Sequence, residues 1–337
     1  MNMEWKEYLW SEWEVVEEIG AGSYGKVYKI KRQDICGTYY AALKVIPFPQ
    51  NDRQNEILKK ANLNKEQMTE HYYQLANELS REFSVMEKFK GNTNIVSYED
   101  HKLVPQKDGI GWYVLIRMEM LTPLIEYIKA HEMSEREICK LGIDICNALI
   151  LCQKENIIHR DIKPGNIFVS NYGDFKLGDF SIAQNVRLQM YTEAPMGTYT
   201  YMAPEVYQGK GYNFTIDLYA LGLIIYRLFN RGRGPFLPLP PEKINLEIDN
   251  EANKLRLTGH ELNSPIDASE SMVKIIIKTC AYDCKQRYQT PDELKKSLEN
   301  HLSDDNAKES IEQKVLKDKK EERKKKMSTY FMKAGDL

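Results

Sequence analysis

The sequence predicts an α+β protein with two lobes, a smaller β-rich lobe followed by a larger helical one. Alternating apolar residues broken by glycines dominate the first part of the chain. After about residue 124, apolar residues recur three and four positions apart, which is the spacing of a helix face. The pattern changes near residues 119–123, so we expect a hinge between the lobes there.

Several strands are expected before the hinge. They lie on either side of a glycine cluster (14–19 and 27–30), in the run Tyr39–Ile46, and near Ile95–Leu103 and Trp112–Met120. Residues from about 50 to 90 are polar and contain neither glycine nor proline, so we expect helix there.

The part after the hinge is expected to be mainly helical, with one short β-hairpin. One helix face is predicted from apolar residues at helical spacing: Ile138, Leu141, Ile145, Ala148, Leu149 and Cys152. The hairpin is predicted from Ile167–Val169 and Phe175–Leu177.

One domain is expected to span residues 14–302, with lobes at about 14–118 and 124–302. Residues 1–13 then form an N-terminal extension and residues 303–337 a charged tail. The run Lys317–Lys326 predicts that this tail is a solvated helix or disordered, although a docking segment or one that binds an anionic surface stays open.

Composition excludes several classes of protein. The net charge of −2 gives no global attraction for nucleic acid. The N-terminus lacks the pattern of a signal peptide, and the longest apolar run, Tyr219–Tyr226, is too short to span a membrane. The six cysteines are not spaced as metal ligands, so we expect core thiols and a cytoplasmic protein.

A glycine-rich turn lies between two predicted strands. Its residues are Gly20, Ala21, Gly22, Ser23, Tyr24 and Gly25, with Val27 after them. Glycines let backbone N–H groups approach phosphate oxygens closely, although a tight hairpin would also need them. A dinucleotide site would continue as a helix, whereas this sequence continues as a strand.

A lysine lies inside the apolar run that forms the third predicted strand. Lys44 is costly to bury unless an anionic group meets it. We expect a carboxylate of the following helix to be its partner. Glu82 is the first choice, and Glu78, one turn earlier, is the alternative.

The segment His159–Asn166 carries the most specific pattern. It combines a possible base (Asp161), a cation (Lys163) and an amide (Asn166) in a loop that Pro164-Gly165 keeps out of helix. Asp179 follows the predicted hairpin. A lone Asp in a loop is usually a cap or turn residue, but Asp179 and Asn166 together could share a hard cation such as Mg²⁺.

These segments, in their order, resemble the signature set of protein kinases, which ends with Ala203-Pro204-Glu205. The resemblance covers about residues 14–300 and implies the bilobal protein-kinase fold. Lys163 and the pair Gly197-Thr198 resemble serine/threonine kinases. The loop Arg231–Pro238 resembles eukaryotic-like kinases of bacteria.

The resemblance implies a role for each motif residue. Lys44, paired with Glu82, would hold the ATP phosphates, and Asp179 and Asn166 would bind Mg²⁺, with Mn²⁺ as an alternative. Asp161 would orient the attacking hydroxyl and Lys163 would neutralise the transferring group. ATP would be contacted by the glycine loop and by the residues Ile19, Val27, Ala42, Met118, Glu119, Leu121 and Phe168.

Structural roles follow from the same resemblance. Glu205 is expected to pair with Arg287, and Asp217 resembles the helix-anchoring aspartate of the family. A stacked spine is expected from His159, Phe180, Met86 and Tyr98. The implied partners are protein substrates, and a second copy of the chain for autophosphorylation.

Two departures and one control element stand out. Ser181 replaces the usual glycine after Asp179-Phe180, and the surplus at about 50–77 predicts extra solvated helix, with an extended helix or a partner site as alternatives. Arg160 is expected to receive an anion from the activation loop, with Thr192 as the phosphoacceptor.

Two other classes share this fold. A pseudokinase would have lost a catalytic or metal-binding residue, whereas Lys44, Asp161, Asn166 and Asp179 are all present. Small-molecule kinases of the same superfamily generally lack the Ala203–Glu205 segment and the preceding Gly-Thr, which bind a peptide chain.

Overall fold

The computed structural model describes residues 3–21, 25–107, 109–180 and 199–304, without the side chains at positions 80–82, 84 and 85. Within this part the chain forms a β-rich lobe followed by a helical lobe, so the predicted α+β class and its lobe order are confirmed.

The first lobe is built on an antiparallel five-stranded sheet with the order β1-β2-β3-β5-β4. Its strands are β1 (Glu14–Ala21), β2 (Lys26–Asp34), β3 (Gly37–Phe48), β4 (Tyr98–Pro105) and β5 (Trp112–Glu119). The turn from β2 to β3 is tight because the Asp34 carboxylate accepts the N–H of Cys36 at 2.8 Å. Gly37 follows with φ +146°, which glycine tolerates without strain.

Two helices connect β3 to β4. Helix α1 (Asp52–Lys60) is capped by the side chain of Asn51, and α2 (Lys65–Lys88) begins with a capping box between Asn64 and Gln67. Met68, Tyr72, Leu75 and Ala76 of α2 are buried. Helix α1 has no buried residue, so the expectation of extra solvated helix holds for the first part of the surplus. The later part extends α2 and buries one face, which corrects the expectation there.

The N-terminal segment covers the outer face of the sheet. Residues Glu4–Tyr8 form a short 3-10 helix whose Trp5 is fully buried. Its ring lies 4.8 Å from that of Tyr28. The Trp10 indole donates a hydrogen bond to Asp100 at 2.7 Å, and the guanidinium of Arg117 lies 4.7 Å from the Trp10 ring. Most of this segment is therefore packed against the lobe.

A small antiparallel sheet follows the hinge with the order β6-β7-β8. Its strands are β6 (Thr122–Pro123), β7 (Ile167–Val169) and β8 (Phe175–Leu177), so the predicted hairpin is confirmed. Leu177 exchanges backbone hydrogen bonds of 2.9 Å with Asn94 and Val96, which joins the two lobes behind the hinge.

The second lobe contains most of the remaining helices. They are α3 (Leu124–Ala130), α4 (Glu135–Lys154), α5 (Pro204–Tyr207), α6 (Thr215–Leu228), α7 (Leu246–Leu257), α8 (Glu270–Thr279) and α9 (291–304). The predicted apolar face of α4 is buried, and the run Tyr219–Tyr226 is buried on all sides within α6. In the described ranges, no helix is long and apolar enough to cross a membrane.

The prediction of core thiols holds for four of the cysteines. Cys139, Cys146 and Cys152 on α4 and Cys280 after α8 are buried, and burial raises the pKa of the Cys146 and Cys152 thiols. Cys36 is exposed in the β2–β3 turn and Cys284 is partly exposed, so the prediction is wrong for these two.

Candidate active site

The inner face of the first sheet carries the predicted roof of a nucleotide cleft. Val27 lies opposite Lys44 across β2 and β3, and Ala42 lies opposite Met118 across β3 and β5. Ala42 and Lys44 are two residues apart on one strand and therefore face the same side. The register thus places Val27, Ala42, Lys44 and Met118 on one surface, as a shared cleft requires.

The glycine loop is described only at its two ends. Ile19, Gly20 and Ala21 belong to the end of β1, and Gly25 precedes β2. A Cβ on Gly25 would lie 2.0 Å from the carbonyl oxygen of Val45, so this position requires glycine. Gly22, Ser23 and Tyr24 lie outside the described residues.

Lys44 and Asp179 form an ion pair in the cleft between the lobes. Lys44 Nζ donates a short hydrogen bond to Asp179 Oδ1. Burial raises the pKa of the Asp179 carboxyl, but Lys44 outweighs it, with help from His159 and Lys163, so this pKa lies below its usual value. Asp179 is therefore an anion at neutral pH, and its side chain is 38% exposed.

The expected carboxylate partner of Lys44 on α2 cannot be assigned from these contacts. The side chain of Glu82 lies outside the described residues, so its pairing with Lys44 stays a prediction. Glu78, the alternative, is exposed on α2.

The loop before β7 gathers two predicted catalytic residues, Asp161 and Lys163, and the predicted metal ligand Asn166. Lys163 Nζ donates to Asp161 Oδ2 at 2.9 Å. The Asn166 amide nitrogen donates to the same Oδ2 at 3.1 Å and to the Asp161 carbonyl at 2.7 Å. Pro164–Asn166 form a 3-10 turn that brings these side chains together. A carboxylate held in this way is a preorganised acceptor for a hydroxyl proton.

Asp217 on α6 binds the backbone at the start of the same loop. Its two carboxylate oxygens accept the backbone N–H groups of His159 and Arg160 at 2.7 and 2.8 Å. Arg160 has φ +66°, a costly conformation for a residue with a Cβ, and these bonds stabilise it. The expected role of Asp217 as a helix anchor is confirmed.

Asn166 and Asp179 provide a donor set that fits a hard divalent cation. Gly178, next to Asp179, donates its N–H to the Asn166 carbonyl at 2.8 Å, so the two residues are held near each other. The Asn166 amide nitrogen is used by Asp161, which leaves Oδ1 as its acceptor atom. One amide oxygen and one ionised carboxylate suit Mg²⁺ or Mn²⁺.

The hinge contains an ion pair that the sequence did not suggest. The Glu119 carboxylate accepts Lys176 Nζ of β8 at 2.8 and 3.0 Å and the N–H of Ser97 at 2.5 Å. Leu121 follows, and Phe168 lies opposite Pro123 in the small sheet, where a floor for the cleft is expected.

Another ion pair connects the predicted peptide-binding segment to the rest of the second lobe. Glu205 and Arg287 form two parallel bonds of 2.7 and 2.8 Å, and both residues are buried. The expected structural pair is confirmed.

Comparison with known proteins agrees with this geometry. A model of the protein kinase domain matches residues 13–298. The chain belongs to the protein kinase family.

Curated relatives of this kinase carry serine/threonine-kinase names. A probable serine/threonine-protein kinase of Clostridium perfringens is 28% identical over 88% of this chain and 39% of its own length. A probable serine/threonine-protein kinase of Dictyostelium discoideum is 29% identical over 82% of this chain and 60% of its own. An Aurora kinase of Saccharomyces cerevisiae is 27% identical over 83% of this chain. The chain thus spans less than two thirds of the length of these first two relatives.

The predicted spine residues of this kinase are all buried. The rings of His159 and Phe180 meet edge to face at 5.0 Å. Phe180 also lies 5.5 Å from Phe89, a residue that the sequence argument did not name. Phe89 caps the end of α2, so this contact connects α2 to the Asp179-Phe180 pair.

Gly178 is a further residue that sequence reasoning missed. A Cβ there would lie 2.6 Å from Val96 Cγ2 and 2.9 Å from the Phe168 ring, and its carbonyl lies 3.2 Å from His159 Nε2. The signal in the sequence was a glycine directly before the Asp-Phe pair. Ser181, Thr192, Gly197 and Thr198 lie outside the described residues, so the predictions made for them stay predictions.

Proposed function

We propose that this kinase transfers the γ-phosphoryl group of ATP to serine or threonine hydroxyls of protein substrates. The observation that carries the proposal is the joining of Asp161, Lys163 and Asn166 in one loop beside an ionised Asp179. This is the constellation that phosphoryl transfer needs, because the reaction depends mainly on positioning and on charge. A pseudokinase would not need to keep it complete.

Nucleotide binding is assigned to the cleft face of the first lobe. Val27, Ala42 and Met118 would enclose the adenine with Ile19 and Phe168, and the backbone of Glu119 and Leu121 would bind its edge. The N–H groups of residues 20–25 would approach the phosphates. Lys44, with Glu82, would hold the α- and β-phosphates.

Each catalytic side chain then has a separate task. Asp161 accepts or orients the proton of the attacking hydroxyl, and its Oδ2 is held in place by Lys163 and Asn166. Lys163 also offsets negative charge on the transferring group. Asn166 Oδ1 and the Asp179 carboxylate would hold Mg²⁺, which supplies positive charge at the phosphate oxygens when bound.

The finer parts of the proposal concern substrate, control and setting. Lys163 and Thr198 favour serine and threonine as acceptors. The Arg160 guanidinium lies 5.5 Å from the Tyr212 ring and is exposed, which leaves it accessible to a phosphorylated Thr192. Autophosphorylation between two copies, a cytoplasmic location, a bacterial origin and the domain limits at 14 and 302 stay predictions.

The test is transfer of labelled γ-phosphate from ATP to dephosphorylated casein with Mg²⁺, followed by phosphoamino-acid analysis. We expect phosphoserine and phosphothreonine with the wild type and at least a hundredfold less with Asp161→Asn. ATP binding without transfer would indicate a pseudokinase. Transfer only to a small molecule would move the chain to the small-molecule kinases, and dominant phosphotyrosine would overturn the substrate class.

A further inference from the structure

Arg256, near the end of α7, is a buried cation whose side chain is 3% exposed. Its Nη1 donates to the Met202 carbonyl at 2.7 Å and to the Tyr219 hydroxyl at 3.0 Å. Its Nη2 donates to the Tyr199 carbonyl at 2.5 Å and to Asn253 Oδ1 at 3.3 Å. One guanidinium thus binds both ends of the short segment Tyr199–Met202.

The four acceptors of Arg256 are neutral oxygens, so the dipoles of these groups stabilise its positive charge. Burial raises the pKa of the Tyr219 hydroxyl, which therefore stays neutral. Burying a cation is costly unless its donors are satisfied, and a fork of fixed geometry binds two carbonyls better than a flexible ammonium does. This arrangement is stable only while the two carbonyls keep their spacing.

The segment that Arg256 binds has little regular structure of its own. Residues 199–202 form a turn, closed by a 3.2 Å bond from the Met202 N–H to the Tyr199 carbonyl. Ala203-Pro204-Glu205 follows directly, and Glu205 is held by Arg287. The centroid of the Tyr219 ring lies 5.7 Å from the Arg256 guanidinium and 4.5 Å from that of Arg287. The two arginines therefore hold neighbouring stretches of the chain and contact the same aromatic ring.

The turn presents aromatic surface to the outside. Tyr199 is 41% exposed and Tyr207 is 49% exposed, and their rings meet edge to face at 5.8 Å. Tyr199 also directly follows Gly197-Thr198, the pair that the family resemblance assigns to binding of a peptide chain. A shift of the Tyr199 carbonyl would therefore move both the exposed aromatic pair and the start of the expected peptide site.

We propose that Arg256 is a positioning residue for protein substrate: it fixes the turn 199–202 against α7 in the conformation that accepts a peptide next to Asp161. The inference rests on the proposed function, because it assigns the turn to the peptide site. In this role Arg256 acts by holding the backbone carbonyls of Tyr199 and Met202, and it does not contact the substrate. The residues that Arg256 contacts do not belong to the expected nucleotide cleft.

The experiment compares Arg256→Met and Arg256→Lys with the wild type in the full chain. For each we measure kcat and KM for casein, KM for ATP, and ATP hydrolysis without casein. We expect Arg256→Met to raise the casein KM at least tenfold and to change the ATP KM and ATP hydrolysis less than twofold. Arg256→Lys keeps the charge but cannot bridge both carbonyls, so its casein KM should be intermediate.

Arg231→Met is the matched control. Arg231 lies in the same lobe, is paired with Asp267 at 3.2 Å and is 57% exposed, so its casein KM should equal that of the wild type. An unchanged casein KM in Arg256→Met would overturn the inference, and so would equal losses in casein and ATP parameters, which indicate a merely structural role. If Arg256→Met does not fold, an unchanged casein KM in Arg256→Lys decides against it. A wild type that hydrolyses ATP but labels no protein would overturn the proposed function itself.

Discussion

Lys44 on β3 donates a hydrogen bond to the carboxylate of Asp179, 135 residues later in the chain. The contact joins the first lobe to the loop after β8, across the cleft where the nucleotide is expected. Lys44 is buried at 9% exposure, whereas the Asp179 side chain is 38% exposed. The pair thus places one cation and one anion where phosphate and metal would be bound.

We expect Lys44→Met and Asp179→Asn each to lower kcat for casein at least a hundredfold, because each removes a charge that acts on the transferring group. Steady-state transfer of labelled phosphate measures this, with circular dichroism to show that the variants are folded. Lys129→Met, at an exposed position on α3, is the control and should keep full activity. Wild-type activity in Asp179→Asn would contradict the metal assignment.

The buried carboxyl of Asp217 should make the free energy of unfolding depend on pH. Burial raises the pKa of its carboxyl, and the bonds from His159 and Arg160 offset this only in part. Because the folded pKa is above the unfolded one, its contribution to stability is complete below about pH 4 and is lost as pH rises through the folded pKa. Asn at this position cannot ionise.

The free energy of unfolding of the wild type minus that of Asp217→Asn should therefore fall as pH rises from about 4, and then become constant. Urea unfolding at several pH values measures the difference. At neutral pH the variant should lose on the order of tenfold in kcat, because its amide accepts only one of the two N–H groups that hold Arg160 at φ +66°. A difference that does not change with pH would contradict the raised pKa.

The buried pair of Glu205 and Arg287 predicts a large loss of stability when one partner is removed. Arg287→Met leaves the Glu205 carboxylate buried without its cation, which costs about 3–5 kcal/mol. The double variant Glu205→Gln/Arg287→Met removes both charges and should recover part of the loss. Urea denaturation gives the three values. A double variant less stable than Arg287→Met would show that uncompensated charge is not the cause.

Local sequence was enough to predict the catalytic loop and the hairpin after it. Asp161, Lys163 and Asn166 are within one short segment, so their contacts depend on few other residues. The same holds for the capped helix α4. The Glu205–Arg287 contact is distant in sequence and was predicted from the family resemblance alone. The same resemblance gave Asp217 an anchoring role but did not name its partners, His159 and Arg160.

Contacts that depend on unrelated parts of the chain were not predicted. Trp5 is buried only because Tyr28 and the outer face of the sheet lie beneath it. Arg256 lies in the last turn of α7, where a cation commonly interacts with the helix dipole. The sequence of α7 therefore does not indicate that this side chain is buried and binds two backbone carbonyls. Sequence periodicity shows which side of a strand is apolar but not which segment covers it.

We predict that the N-terminal segment stabilises the first lobe, although this segment lies outside the kinase domain expected from the sequence. Trp5→Ala should destabilise the kinase by about 3–5 kcal/mol, because it leaves a cavity over Tyr28. The shift in urea midpoint measures this. Tyr172→Ala is the control: this ring is 93% exposed and its removal should change stability by less than about 0.5 kcal/mol. Equal midpoints in the two variants would show that the segment is not part of the folded lobe.

We expect the variant Gly178→Ala, which adds one methyl group, to bind ATP more weakly. A Cβ at this position would lie 2.6 Å from Val96 and 2.9 Å from the Phe168 ring, so Phe168 or the backbone beside Asp179 must move. Phe168 belongs to the expected floor of the adenine site. Displacing either group should therefore raise the KM for ATP more than the KM for casein, on the order of tenfold, which corresponds to about 1.4 kcal/mol.

Gly211→Ala is the control for Gly178→Ala, because a Cβ on Gly211 would have no heavy atom within 4 Å. Steady-state kinetics with ATP and casein varied in turn separates the two KM values. If Gly178→Ala raised the casein KM alone, the added methyl group would be acting on the substrate side of the catalytic loop. Equal kinetics in the two variants would mean that Phe168 moves without cost and does not form the floor of the adenine site.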